Sequence, residues 1–297
     1  MYVRSGDTPL QTPEQLDGRF KLVSGLYAAA LLSPAVVLLA VRWLGVTSWP
    51  VALGSLGAVG VVLTATVAWT VSRQNEFVAW FDSPWIAILV PAVGVLPMGV
   101  YFFHFFLFVG FAVTDLQADT AANLIGFVGF VAGIAATLLG EYLVLSARTQ
   151  LANATVDDTD VAVEWTAGWP RRARLWFMIG TLAVIGLLAG VAFWRLGWRG
   201  VTTVIPFGPV LVIALRSVVS QRTYRATPVG VEQRRDGRWP GPRRLIPWSK
   251  VDGFSVTDDA IILHRALPHV DIRCQRNLID DEAVVAALNT HLDRQDT

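Results

Sequence analysis

Long apolar runs separated by short polar stretches fill the first two thirds of the chain, and the last quarter breaks into short runs punctuated by turns. An α-helix rises about 1.5 Å per residue, so roughly 20 apolar residues cross a ~30 Å hydrocarbon core. Six runs are candidates: Leu22–Val41, Val51–Val71, one within Trp85–Val113, Ala122–Leu145, Leu175–Trp194 and Val201–Leu215. In lipid a backbone amide finds no water, so runs of this length predict helices. The third run holds 29 residues and would span about 43 Å if straight. Pro91 and Pro97 lie inside it, and each removes a backbone donor and bends a helix. A tilted, kinked helix is expected there, with a short re-entrant piece followed by a helix from Pro97 as the other option. The sixth run is short, with Pro206 and Pro209 near its start, and predicts a broken or tilted helix.

From Gln221 the period changes. Segments 223–227, 230–235, 244–248, 253–257, 260–265 and 269–274 read as strands, with Asp236-Gly237 and Trp239-Pro240-Gly241-Pro242 as turns. Asp280 or Asp281 can cap a final helix whose apolar stripe is Val285, Leu288 and Leu292. The reading is a polytopic α-helical membrane protein of about six transmembrane helices (22–219), preceded by a short polar segment (1–21) and followed by an α+β domain (220–297).

Charge sharpens this division. Charged residues make up 16% of the chain, against about 25% in soluble domains. Only seven lie between Leu22 and Ser146, whereas residues 220–297 hold 12 basic and 11 acidic ones. That balance lacks the basic excess of a nucleic-acid module, so no nucleic acid is expected as a partner. One cysteine, Cys274, excludes an intramolecular disulfide framework. Arginine outnumbers lysine 22 to 2, which fits a GC-rich prokaryotic genome. No cleavable signal peptide is expected, because the first twenty residues are polar and mixed in charge. Basic residues concentrate on one side of the expected spans, at Arg4, Arg19, Lys21, Arg73, Arg148, Arg171, Arg172, Arg174 and Arg216. The positive-inside rule then makes both termini cytoplasmic in a multi-pass cell-membrane protein. Tryptophans at 43, 49, 80, 85, 176, 194 and 198 fall at the span boundaries, where an indole is favoured. The inner loop from Arg148 to Arg172 is read as a connection whose basic end anchors on anionic lipid.

Six or seven short antiparallel strands closed by one helix is the order of a pleckstrin-homology-like (PH-like) domain. Two local patterns resemble the prokaryotic membrane-attached PH-like families. Tyr224-Arg225-Ala226-Thr227-Pro228-Val229-Gly230-Val231 is similar to their opening hairpin, and Ile246-Pro247-Trp248-Ser249-Lys250-Val251 to a later strand. The resemblance covers about the last quarter of the chain. It implies a PH-like antiparallel barrel or sandwich capped by a helix, and it implies no shared enzymatic activity.

The candidate chemistry is sparse. Arg234, Arg235, Arg238, Arg243 and Arg244 surround Trp239 in one hairpin connection. Such a group can contact lipid headgroups, each arginine contributing on the order of 1 kcal/mol near an anionic surface, or it can be a solvated loop. His104 and Glu141 lie within apolar runs, where an ionisable group is costly and by default functional. Glu141 stands near the inner end of its run, within reach of Arg73 or Arg148. His264, His269 and Cys274 are metal-ligating types, but no three-ligand site is expected. On a hairpin turning at residues 266–268, partner numbers sum to 534, which puts His264 and Cys274 on one face and His269 on the other. Glycines at 54, 57 and 60, at 126, 129 and 133, and at 186 and 190 suit close helix packing or a homo-oligomer interface. No cofactor is expected, and no nucleophile–base set stands out.

The expected function is non-enzymatic: a PH-like module presented at the cytoplasmic face to bind lipid headgroups or a protein partner. The alternative is a transporter or channel with a regulatory cytoplasmic domain. The full chain is predicted to remain in the membrane pellet after a high-salt, alkaline wash and to enter solution only with detergent.

Overall fold

The computed structural model describes residues 10–102, 104, 120–157, 159, 161–168, 171–197, 222–235, 242–258, 260–265, 271–275 and 281–295. It divides into two compact units, one of residues 9–155 and one built mainly from residues 156–297.

The first unit is helical. Helix α1 (Gly18–Leu44) starts where the Asp17 side chain accepts the Arg19 amide, and it ends at Gly45 in the left-handed conformation. It is followed by α2 (Trp49–Val71), a 3-10 helix (Asn75–Asp82), α3 (Pro84–Val93) and α4 (Thr120–Thr155). The third run is broken as its prolines imply: past one turn residue, Gly94, helix resumes over 95–102. The break frees a carbonyl in an apolar setting. The Gly94 amide bonds Pro91 O rather than Val90 O, and the Tyr27 hydroxyl of α1 donates to Val90 O at 2.5 Å. A side chain from a neighbouring helix thus repairs the ladder that the kink interrupts.

Small residues set the helix spacing. A Cβ on Gly25 would stand 2.3 Å from Thr64 O, and one on Gly94 2.4 Å from Thr137 N, so α1 meets α2 and the kink meets α4 backbone to backbone. Of the glycines singled out above, 126, 129 and 133 make room for His104, Tyr101 and Met98, whereas 54, 57, 186 and 190 face open space. Helix α4 exceeds its expected end at Leu145 by ten residues. Its 36 residues measure about 54 Å, more than a hydrocarbon core needs. The excess packs Ala147 and Leu151 against Leu16, Phe20, Val78 and Phe81. The N-terminal segment is tied to the same end: Gln11 N donates to Thr155 Oγ1, Asp17 N to Gln150 Oε1, and Asn75 Nδ2 to Glu14 O.

Among its described residues the second unit contains seven strands and two α-helices. Strand β1 (Val163–Ala167) precedes α5 (Arg171–Leu196). Then come β2 (Arg222–Ala226), β3 (Gly230–Arg235), β4 (Arg243–Pro247), β5 (Gly253–Val256), β6 (Ala260–His264), β7 (Ile272–Gln275) and α6 (Asp281–Asn289). Two antiparallel sheets, β1-β2-β3-β4 and β5-β6-β7, share one core with α6 and do not close into a barrel. Phe254, Leu263, Val231, Val284 and Leu288 are all buried at its centre.

Two expectations are corrected. The loop expected over 148–172 contains β1, which pairs with β2 from Val163↔Ala226 to Ala167↔Arg222, so the sheets draw on residues far upstream of position 220. The β6–β7 register sums to 535, not 534, with Ile261 opposite Cys274. A slip of one residue exchanges the faces: Cys274 enters the core, and His264 stands on the outer face.

Among the described residues five helices are long and apolar enough to cross a membrane: Gly18–Leu44, Trp49–Val71, Pro84–Phe102, Ala121–Thr155 and Arg174–Arg195. The sixth run, 201–215, lies outside the described residues, as does all of the third beyond residue 104. No described side chain of α5 is buried. Tyr27→Phe is predicted to lower the melting temperature of the detergent-solubilised chain by leaving Val90 O unsatisfied, a cost of about 1–3 kcal/mol. Gly25→Val is expected to be more damaging, because the Thr64 backbone cannot yield.

Candidate functional site

The two motifs that carry the resemblance meet in space. Thr227 and Gly230 close the β2–β3 turn, with Thr227 Oγ1 donating to Gly230 O at 2.7 Å. The Trp248 indole donates to Thr227 O at 3.0 Å and seals that turn. Gly230 is required sterically, since a Cβ there would stand 2.2 Å from Ile246 O. His291, beyond α6, stacks on Trp248 with ring centroids 4.7 Å apart.

The arginine hairpin is β3, its connection and β4. Alternation puts Val231 in the core and Glu232 on the opposite face of the first sheet, beside Arg234 and Arg243. Glu232 is fully buried despite that outward direction. Its Oε1 accepts the Nε–H of both Arg234, at 2.7 Å, and Arg243. Its Oε2 is buried and has no hydrogen-bond partner among the described residues. Burial alone would raise this carboxyl, but the hydrogen bonds and charges of Arg243 and Arg234 outweigh it and hold the group below its ordinary value of 4.5. On the same face Arg225 pairs with Glu164 of β1 at 2.6 Å, and Thr166 meets Thr223 at 3.3 Å. Two of the five hairpin arginines therefore already bind an internal carboxylate. Arg244 belongs to the other face, in the row of Trp165, Tyr224 and Gln233, where Trp165 stacks on Tyr224 at 5.8 Å. Arg235 ends β3, and Arg238 and Trp239 lie outside the described residues.

The other candidates stand apart. His104 lies where α1 ends and α4 begins, at 3.3 Å from both Arg42 Nη2 and Asn123 Oδ1. Glu141 is exposed on α4, and with Asp82 it acts electrostatically on Arg148; the Arg73 guanidinium covers the Trp69 ring at 3.9 Å. Cys274 is fully enclosed, and burial pushes its thiol up to about 12. His264 instead hydrogen-bonds Ser255 and Asp271 on the outer face of the second sheet, a grouping that sequence spacing does not reveal. His269 lies outside the described residues. Among the described residues no three His, Cys, Asp or Glu side chains converge as metal ligands.

Comparison with family models, with curated proteins and with solved structures finds no match.

Glu232→Gln leaves two arginines facing a neutral amide, and it is predicted to destabilise the sheet unit by about 3 kcal/mol, read as a lower thermal transition in detergent. Because the folded carboxyl is depressed, its stabilisation is complete above pH 4.5 and is lost as pH falls through the lowered value. The variant should lack that acid limb. Cys274 is predicted to resist maleimide at pH 8 until the chain is denatured.

Proposed function

We propose that the chain is a multi-pass cell-membrane protein that holds a PH-like module at the cytoplasmic face, where the module binds anionic lipid headgroups. The observation that carries this reading is the position of β1 in the chain. Seven residues separate it from α4, and three separate it from α5. Three residues hold the flanking Cα atoms within about 14 Å of each other. A sheet whose edge strand is so closely leashed to a membrane-length helix stays at the lipid surface.

Several features support the finer parts. Counting β1, seven antiparallel strands followed by α6 match the order expected of a PH-like module. Ala167 faces Arg222, so the intervening 54 residues leave and rejoin the sheet at one place. If α5 crosses the bilayer, the chain between α5 and β2 has to return to the same side, and in the sequence the apolar run 201–215 is available for a sixth crossing. Exposed Trp176 and Trp194 stand at opposite ends of α5, about 27 Å apart by helical rise, close to one hydrocarbon thickness. In the helical unit, Arg19, Lys21 and Arg73 cluster toward one end and Arg42 toward the other, the asymmetry that favours a cytoplasmic N-terminus. The hairpin arginines supply the lipid contact, with Glu232 fixing Arg234 and Arg243 while Arg238 and Arg244 add charge.

Single cysteines at Gln11 and Gln295 are predicted to react with an impermeant maleimide only from the cytoplasmic side, and one at Thr47 only from outside. In nanodiscs, amide exchange over 235–244 should slow several-fold when phosphatidylglycerol is added to a zwitterionic lipid, and Arg238→Glu with Arg244→Glu should abolish the effect. Identical exchange in both lipids would refute headgroup binding and leave a protein partner as the reading to pursue.

A further inference from the structure

The outer face of the second sheet carries a hydrogen-bonded chain that headgroup binding does not use. Ser255 of β5 lies 2.9 Å, Oγ to Nε2, from His264 of β6. His264 Nδ1 lies 3.3 Å from Oδ2 of Asp271, one residue before β7. The other oxygen of Asp271 accepts the Arg265 amide at 3.2 Å, which fixes the carboxylate. An ionised carboxylate only accepts, so Nδ1 carries the imidazole proton and Nε2 presents its lone pair to the serine hydroxyl. Gly253 is the direct cross-strand partner of His264 and Ser255 that of Ile262, so Ser255 is the diagonal neighbour of His264 on one face of the sheet.

This is the order nucleophile, base, orienting acid, recognised by geometry rather than by sequence position. The three residues come from two strands and the start of a third, all facing away from the core that Phe254, Leu263, Ile272 and Cys274 occupy. Arg273 is exposed and shares a row with Ser255 through Ile262, about 10 Å away at the usual strand spacing. It places a cation on the same face.

We propose that Ser255, His264 and Asp271 form an acyl-transfer relay that acts on an anionic carboxylic ester. Ser255 Oγ forms a bond to the ester carbonyl carbon while its proton passes to His264 Nε2. Collapse breaks the ester C–O bond, and the proton leaves with the alkoxide as an alcohol. Water then attacks the acyl-serine by the same route, releasing the acid and restoring the hydroxyl. Arg273 attracts the negative group of the ester. Ser255 is fully buried, so its neighbours must yield to admit the ester. The C-terminal tail borders this strand: Phe254 N donates to Asp293 O, Gln295 N donates to Phe254 O, and Gln295 covers Gly253.

The test uses the full chain in detergent with a fluorophosphonate probe and mass spectrometry of the adduct. The expected result is an adduct on Ser255 that Ser255→Ala removes and His264→Ala slows at least ~100-fold, measured at a temperature where both variants remain folded. Ser255→Cys provides a second readout: its new thiol should be alkylated by iodoacetamide far faster than Cys274, which serves as the enclosed comparator. No adduct on Ser255 in the wild type, labelling that survives His264→Ala, or a Ser255→Cys thiol as inert as Cys274 would overturn the proposal. None of these outcomes bears on headgroup binding.

Discussion

The ladder between β1 and β2 is the constraint on which the second unit depends. Five residue pairs, Val163↔Ala226 to Ala167↔Arg222, join segments that lie on either side of a long apolar excursion. Without it the first sheet has three strands, Tyr224 loses the Trp165 ring stacked on it, and Arg225 loses Glu164. The excursion and the sheet are thus one folding problem. Closing a loop of this length costs entropy that rises only slowly with length, and buried apolar surface together with the ladder hydrogen bonds offsets it.

The same logic of local compensation recurs wherever a polar group is withdrawn from water. Ser24 and Ser33 return their hydroxyls to carbonyls one turn back in α1, and Tyr27 answers the carbonyl freed at the α3 kink. Glu232 is the most expensive instance. A carboxylate without solvent is tolerated because two guanidinium groups meet one of its oxygens, and the second oxygen remains the weakest point of the arrangement.

Much of this is legible in the chain. Apolar run length predicts four of the described spans to within a few residues at most of their ends, because in lipid the backbone has few alternatives. Strands β2 to β7 follow from period and turn residues. What escapes has physical reasons. β1 is a five-residue strand in a polar connection, and its partner lies 55 or more residues on, so no local pattern marks it. α4 runs past Leu145 because the cluster around Phe20 and Phe81 stabilises turns that hydropathy rates as ordinary. The β6–β7 register differs by one because a turn symmetric about Leu267 is only one of the placements that period-two patterning allows. The same slip hides the partners of His264. The role of Glu232 is invisible because alternation marks it as a solvent-facing residue.

A practical consequence concerns where the chain can be cut. A fragment that starts after α5 would present β2 with a row of unpaired amides and carbonyls along the side that β1 now covers. Exposed edges of that kind recruit other chains and seed aggregation. A usable soluble version should instead graft residues 161–168 onto Arg222 through a short glycine-rich bridge, which keeps the flank of the sheet closed while dispensing with the long apolar helices.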